Sequence, residues 1–465
     1  MVAIPDVTTA SEITLPNLLY RPRGEVKQLQ DRLLRSTVAL CYRGHPYYRR
    51  VMQQHGLTPD DIRTTDDLVR LPPTSKKDFM ADPEAFRLQL TDLPLEQRVL
   101  WEVMYTTGTT SAQPSPIYTT TWDHYAYLFH AARCSEILGI TEDDVVANVF
   151  PLTAYPMGAY VRAPHTAAAT GASIVTSNPG RAHPDFPIHR SLDDTVRLIE
   201  RHHATMIWGV ASFVRRVLMR AQELGADFSS LRTCSITGEA TSNAMRDDMR
   251  RRMAELGVRD PRVLNRYGST ESSSMLECRE GSGWHNPSPD QVFLEVVNAD
   301  SHARQPFGTA GSLLITHLIR RGTVLLRYAL GDIVTMTDEQ CPHCGRTSER
   351  IITQPVRTKD IVKIKGMLVN LDLLKEELER VPGLEEFQVI IQKSDPGDPF
   401  SMDELLLRLA ASDGASPDEV SAACAQRTLA ATQVRPRLEF VRRDDIHDPT
   451  GSAKFQRIVD RRPVP

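Results

Sequence analysis

YTTGTTSAQPSPIYTTT, residues 105–121, carries seven threonines in seventeen positions, with Gly108 inside the threonine run and Pro114 and Pro116 after it. Thr106, Thr107, Thr109 and Thr110 offer hydroxyls, and Gly108 lets the main chain adopt dihedrals closed to other residues. A polyphosphate needs that combination of many donors, little bulk and turned backbone N–H groups. A Ser/Thr-rich surface loop has the same composition, so the stretch alone leaves both readings open.

The surrounding chain narrows the choice. At 465 residues it is long enough for two or three domains. Its 41% hydrophobic and 25% charged residues read as soluble and globular. A formal charge of −4, from 55 basic and 59 acidic residues, argues against a nucleic-acid surface. The basic clusters Arg246–Arg252 and Arg435–Arg443 read as solvated faces. No apolar run approaches the ~18 residues of a membrane span. The start, MVAIPDVTTASEITLPN, lacks the basic flank and apolar stretch of a secretory signal. Seven cysteines, an odd number, do not make a disulfide framework, so a reducing, cytoplasmic setting is expected.

Periodicity orders the rest. Residues 1–20 read as an arm. Val26, Leu29, Leu33, Leu34, Val38 and Leu40 recur at helical spacing, and Thr58 and Thr65 precede acids as helix caps do. After Thr121 short apolar strands alternate with helices: Val145–Phe150, Ser173–Thr176, Met206–Trp208, Thr233–Thr237 and Val263–Tyr267 are the predicted strands. That alternation predicts an α/β domain with a parallel sheet, whose ligands bind at the carboxyl ends of the strands. From Val292 the pattern turns β-rich, with strands predicted at Val292–Val297, Gly311–Ile315 and Thr323–Tyr328. The last 105 or so residues read as a small α+β domain, with Leu371–Arg380 and Pro417–Thr428 as helices.

Several short motifs punctuate this order. Tyr267-Gly-Ser-Thr-Glu271 follows a strand, where Gly268 permits a tight turn and Thr270 and Glu271 can face a phosphate and Mg²⁺. Asp332, in RYALGD, is a carboxylate just after a predicted strand and suits a ribose diol; a turn aspartate is the plainer alternative. Lys454, in TGSAKFQR, can neutralise charge developing on a carboxylate or α-phosphate, or be a surface charge. Cys278 and His285, with six residues between them, precede Cys341-Pro-His-Cys344. One CxxC plus a Cys/His pair fits a tetrahedral structural Zn²⁺. His343 could replace His285, and four reduced residues without a metal remain the alternative.

Taken together and in order, these motifs resemble the acyl/aryl adenylate-forming superfamily, and within it the phenylacetate–coenzyme A ligase group. The resemblance spans nearly the whole chain, including HPYYRRVMQQHGLTPDDIRTTDDLVRLPPTSKKDF near its start. It implies an AMP-forming acid–thiol ligase with a large N-terminal adenylation domain, 1–356, and a small mobile C-terminal domain, 357–465. It assigns Thr106, Thr107, Gly108, Thr109 and Thr110 to the phosphates and Gly238, Glu239 and Ala240 to the adenine side. Tyr267, Gly268 and Ser269 belong to the second nucleotide motif, with Thr270 and Glu271 in the chemistry and Glu271 on Mg²⁺. Asp332 corresponds to the ribose aspartate; Arg350 and Arg357 join the nucleotide set; Lys359 is the hinge; Gly366 lines the acceptor tunnel; Lys454 is the adenylation lysine. ATP, Mg²⁺, coenzyme A and a structural Zn²⁺ are the implied cofactors. The implied partner is a small carboxylic acid, aromatic by the resemblance. A carrier protein acting in trans or an amine is the alternative acceptor, and a homodimer is left open.

Tyr155, Met157, Gly158, Trp208, Gly209 and Ala211 are candidates to line the acyl pocket, where the small residues would leave room for a flat ring. Core packing is the competing reading for the larger ones. Arg162 and His165 could read polar ring substituents. The chain departs from the family at Ser111-Ala112-Gln113, which lacks the expected glycine and basic residue of the phosphate loop. Asn265 replaces a common aspartate, and Gly238-Glu239-Ala240-Thr241 differs from the usual Gly-Ala-Glu-Pro.

Overall fold

The computed structural model describes residues 13–105, 115–150, 158–179, 190–238, 241–357, 361–364, 367–395, 402–432, 434–446 and 456–462. In chain order its first elements are α1 (Arg23–Gly44), α2 (Pro46–Gln54), α3 (Lys76–Ala81), β1 (Leu100–Tyr105), β2 (Pro116–Thr120), α4 (Thr121–Leu138), β3 (Val145–Asn148), α5 (Gly158–Ala168) and β4 (Ser173–Thr176). Then come α6 (Leu192–Arg201), β5 (Met206–Val210), α7 (Ala211–Leu224), β6 (Thr233–Thr237) and α8 (Asn243–Glu255). Strands follow: β7 (Arg262–Ser269), β8 (Ser273–Leu276), β9 (Trp284–His285), β10 (Val292–Val297), β11 (Ala310–His317), β12 (Tyr328–Thr337), β13 (Arg350–Ile351) and β14 (Val356–Arg357). The C-terminal set is β15 (Ile361–Ile364), β16 (Met367–Asn370), α9 (Leu371–Glu379), β17 (Leu384–Lys393), β18 (Asp403–Ala411), α10 (Pro417–Thr432), β19 (Arg437–Phe440) and β20 (Ile458–Asp460). Among the described residues no helix is long and apolar enough to cross a membrane.

The chain divides into two units. The first comprises Met1–Asn148, Leu152–Val175 and Leu264–Pro355; the second comprises Val149–Pro151, Thr176–Val263 and Val356–Pro465.

In the first unit the apolar stripe of α1 is buried as its spacing requires: Val26, Leu29, Leu33, Leu34, Val38 and Cys41 all face the core. The helix stops at His45, whose Nδ1 accepts from Tyr48 N at 3.1 Å and so caps α2, with Pro46 in its first turn. Thr120 caps α4 in a reciprocal box with Asp123. The Asp123 carboxylate also accepts from Arg321 N and Gly322 N, both at 2.8 Å, which ties the β2–α4 corner to the loop before β12. β1 and β2 pair antiparallel with Tyr105 opposite Pro116, so the threonine-rich segment joins two paired strands.

An antiparallel succession, β10–β11–β12–β13–β9–β8–β7, makes the sheet of this unit's last segment. The predicted strand at Thr323–Tyr328 is not one: β12 begins at Tyr328, where that prediction ends. The reason is long-range. Side chains satisfy the main-chain donors of the segment's last three residues before β12: Leu325 N donates to His317 Nδ1 at 3.1 Å, Leu326 N to Tyr48 OH at 2.6 Å and Arg327 N to Thr316 Oγ1 at 3.0 Å. Arg327 takes a φ of 47°, and its guanidinium donates to Glu295 Oε1 at 2.6 Å, Leu71 O at 2.6 Å and His302 O at 3.0 Å. A buried, charge-paired arginine fixes the end of a segment that, among the described residues, makes only an isolated bridge, Thr323 with Arg87, and no ladder. Asp332 consequently lies within β12, not after a strand.

In the second unit β5 and β6 run parallel, Met206 opposite Thr233 through Val210 opposite Thr237. All five residues of β5 are buried, as a parallel strand between two layers demands. α7 follows β5 directly and ends on Gly225 at φ 64°. The C-terminal segment builds a four-stranded sheet in the order β19–β18–β17–β20, with β17 and β18 antiparallel and both edges parallel. Leu374, Leu378, Phe387, Val389, Leu405, Leu407 and Val420 form its core.

Candidate active site and metal centre

β7 and β8 form a hairpin with Ser269 opposite Ser273, so Thr270 and Glu271 sit at its turn. Ser269 and Ser272 brace it, each main-chain N–H donating to the other's hydroxyl at 3.1 Å. Gly268 is not the turn residue expected from its place in the motif. It lies within β7, and a Cβ there would stand 2.2 Å from Ser273 O, so glycine is required by close approach of the facing strand. Glu271 is buried, and its carbonyl is held by His317 Nε2 at 2.8 Å. Because Nδ1 of His317 accepts from Leu325 N, Nε2 carries the proton and donates to Glu271. Burial, first, and the Arg320 charge push the His317 pKa down to about 3, so the ring is neutral in this role.

Tyr267 OH donates to Asp332 Oδ2 at 2.6 Å, joining two motifs 65 residues apart. Asp332 itself is held on a strand whose lead-in is pinned by the N-terminal helices. His45 Nε2 lies 3.2 Å from Val324 O, and Tyr48 OH donates to Leu326 O at 3.0 Å. Thr74 Oγ1 donates to the same carbonyl at 3.0 Å. His45, Tyr48, Thr74 and His317 were not singled out as site residues by sequence. Only the HPYY stretch gave a signal, and it gave no role.

The four predicted metal ligands converge. Cys278 just after β8, His285 on β9, and Cys341 and Cys344 between β12 and β13 offer ligand atoms all within 4.8 Å of one another. The β8–β9–β13–β12 succession is what brings the two halves together. Cys278 Sγ is 3.9 Å from Cys341 Sγ, and Cys344 Sγ is 3.5 Å from His285 Nε2. Tetrahedral zinc, with Zn–S near 2.3 Å and Zn–N near 2.0 Å, has ligand edges of about 3.8 Å for S–S and about 3.5 Å for S–N. The donor set therefore fits that ion. Gly345 N donates to Cys341 O at 2.9 Å, closing the knuckle, and Gly283 at φ 75° is required because a Cβ would meet Ile351 O at 2.5 Å. Burial and the Arg350 and Arg346 charges hold His285 down to about 3, the neutral form a ligand needs. Arg350, carried to the nucleotide by resemblance, is seated here: its guanidinium donates to Ser282 O at 2.6 Å and Glu339 O at 3.3 Å.

Of the expected pocket residues, Trp208 and Ala211 are fully buried in the second unit. The space a Cβ on Gly209 would need is filled by Val149 Cγ2 at 2.5 Å and Val214 Cγ2 at 2.8 Å, so this glycine serves packing and leaves no room for a ring. Gly158 opens α5 in the first unit, where a Cβ would sit 3.9 Å from Thr270 Oγ1. Gly238 takes a φ of 90°, as a turn at the end of β6 requires, and Arg357 is exposed on β14. Thr106, Thr107, Gly108, Thr109, Thr110, Tyr155, Met157, Glu239, Ala240, Lys359, Gly366 and Lys454 lie outside the described residues.

Comparison with known proteins agrees with this geometry. Residues 50–319 match the family described as AMP-binding enzyme. The chain is 26% identical over 408 residues to a phenylacetate-coenzyme A ligase of Thermus thermophilus, covering 86% of this chain and 84% of that one. A phenylacetate-coenzyme A ligase of Escherichia coli K12 is 26% identical over 362 residues, 76% of each chain. Among solved structures, 2-hydroxyisobutyryl-CoA ligase in the postadenylation state superposes with a TM-score of 0.79 at 20% identity, covering 97% of this chain and 94% of that one, a likeness of fold. Sequence motifs, hairpin, metal knuckle and family match converge: the chain belongs to the AMP-binding enzyme family.

Proposed function

We propose that this enzyme activates a carboxylic acid, aromatic in its natural substrate, as an acyl-AMP and transfers the acyl group to coenzyme A. The observation that carries the reading is the Tyr267–Asp332 bond beside the Glu271 hairpin, which unites two nucleotide motifs in a family member. The curated relatives of similar length, phenylacetate-coenzyme A ligases, support the acid–CoA chemistry and the aromatic class.

In the first step a carboxylate oxygen attacks the α-phosphorus of ATP and pyrophosphate leaves. Thr106–Thr110 hold the β- and γ-phosphates, Asp332 the ribose, and Lys454 the charge shared by carboxylate and α-phosphate. Glu271 would hold Mg²⁺, which would supply charge neutralisation at the phosphates. In the second step the coenzyme A sulfur attacks the acyl carbonyl carbon and AMP leaves. The 357–465 domain turns about Lys359 between the steps, withdrawing Lys454 and bringing Gly366 to the thiol. No protein nucleophile is needed; positioning and charge do the catalysis. Cys278, His285, Cys341 and Cys344 would hold a structural Zn²⁺.

The test is mass spectrometry of products formed from ATP and a panel of benzoic and phenylacetic acids, with and without coenzyme A. Acyl-AMP without the thiol and acyl-CoA with it are expected. Acyl-AMP that never passes to coenzyme A would move the reading to a carrier protein or amine acceptor.

A further inference from the structure

A second polar cluster lies in the first unit, outside the motifs used above. On α5, Gly158, Arg162 and His165 are spaced i, i+4, i+7 and share one face. On β1, Glu102 and Met104 share one face. The two faces meet: Arg162 Nη2 bonds Glu102 Oε2 at 2.5 Å, and a Cβ on Gly158 would lie 3.7 Å from Met104 Sδ. α4 closes the corner. The His124 ring is 5.1 Å from the His165 ring and 5.1 Å from Trp101, and Arg162 Cζ lies 4.6 Å over the Tyr127 ring.

This corner holds nitrogens with no protein partner. His124 Nδ1, His165 Nδ1 and Arg162 Nη1 are all buried and unbonded. Buried polar groups ordinarily find a partner, and three unbonded nitrogens grouped in one corner point to a ligand. Burial, then the His165 and Arg162 charges, push the His124 pKa down to about 4. His165 is also held below its ordinary value, first by burial and then by the Arg162 charge. The Arg162 guanidinium only donates, and each neutral imidazole has one N–H that its tautomer can place at Nδ1. A cation is not the guest, because one of the unbonded groups is itself the Arg162 guanidinium, which only donates. The cluster asks for an oxygen acceptor.

Its distance from the reaction centre sets what carries that oxygen. The start of α5 is beside Thr270, and Arg162 and His165 follow at about 6 Å and 10 Å along the helix axis. That is the length of a short acyl or aryl group. We propose that this corner is the far end of the acyl pocket, and that His124, Arg162 and His165 bind a second, oxygen-bearing acceptor group on the acid. The inference rests on the adenylation reading and names its substrate class: acids with a distal carboxylate, carbonyl or hydroxyl oxygen.

The test is ATP–pyrophosphate exchange with matched acids: phenylacetate against 4-hydroxyphenylacetate and 4-carboxyphenylacetate, and butanoate against glutarate. The readout is the ratio of kcat/KM for the oxygen-bearing acid to that of its parent. A ratio on the order of 10–100 is expected in at least one pair, the discrimination available when a site's donors are otherwise left unpaired. The ratio should fall at least tenfold in His124→Leu and in the paired Glu102→Gln/Arg162→Gln variant, which removes both charges together. The hydroxyl and carboxylate arms distinguish a neutral from an anionic guest. Adenylation of the parent acids with no preference in any pair overturns the inference and leaves the adenylation reading standing. An unchanged ratio in folded variants also overturns it. Absence of exchange with every acid overturns both.

Discussion

His317 on β11 donates from Nε2 to the main-chain oxygen of Glu271, 2.8 Å away and 46 residues earlier in the chain, while its Nδ1 accepts from Leu325 N at 3.1 Å. One neutral imidazole thus bridges the hairpin turn and the segment leading to Asp332. His317→Ala would leave a buried carbonyl and a buried N–H unpaired, at a cost of about 2–5 kcal/mol. We expect a matching fall in the denaturation midpoint and a loss of activity larger than stability alone explains at low temperature, where the fold is retained. His317→Gln, which can both donate and accept, should recover part of each. Equal stability of wild type and His317→Ala would remove the bridge from the account.

Much of this arrangement was legible in the sequence, and what was not has a common cause. Ser173–Thr176 and Thr233–Thr237 form strands where their apolar runs end at turn residues, a local signal. The cysteine knuckle was legible because ligand spacing is itself local, CxxC on one side and Cys–His on the other. Thr323–Tyr328 has a strand's composition, but its donors go to Tyr48, Thr316 and His317, and nothing near it in sequence announces those partners. Gly268 and Gly209 were read as a turn and as pocket space; both are close approaches to elements distant in the chain or folded back upon it. The Tyr267 and Asp332 motifs were each visible, and the bond between them was not.

The metal centre predicts a stoichiometry. Purified protein should contain about one zinc per chain by elemental analysis, and Cys341→Ser should lose it. Cys341 and Cys344 precede β13, Cys278 precedes β9 and His285 lies on it, so a bound ion would staple two segments of one sheet. Loss of the metal should therefore cost several kcal/mol of stability, with a lowered unfolding midpoint on chelation that added Zn²⁺ restores. Metal-free protein of unchanged stability would leave four reduced residues as the better description.

Buried histidines predict a steep acid limb. His45 and His317 are fully buried and His130 nearly so, with pKa values pushed down, chiefly by burial, to about 4, about 3 and about 3. In the unfolded chain each titrates near 6.5, so between these values the unfolded state binds more protons than the folded one. Stability is complete above about pH 6.5 and falls as the pH drops toward the folded values, by about 1.4 kcal/mol per pH unit for each group. Denaturant midpoints measured from pH 7.5 to pH 4.5 should be flat at the upper end and fall below pH 6. His45→Gln should lower the plateau and flatten the fall. A midpoint that stays level down to pH 4.5 would contradict neutral burial of these rings.

The last prediction separates packing from chemistry at the hairpin. A Cβ on Gly268 would stand 2.2 Å from Ser273 O and 2.9 Å from Ser274 Cα, and both obstacles are main chain. A flexible side-chain tip could give way; a paired strand cannot without breaking its register with β7. Gly268→Ala should therefore splay the turn that carries Thr270 and Glu271. Gly209→Ala is the control, because its obstacles are two valine methyls that can rotate, at an expected cost of about 1–3 kcal/mol. If the hairpin positions Glu271 for the phosphates, Gly268→Ala should cut kcat for ATP–pyrophosphate exchange by at least tenfold in protein that remains folded. Gly209→Ala should lower the unfolding midpoint with a smaller change in kcat. Similar kcat losses in the two variants would mean that general destabilisation, not the placement of Glu271, sets the activity of the Gly268 variant.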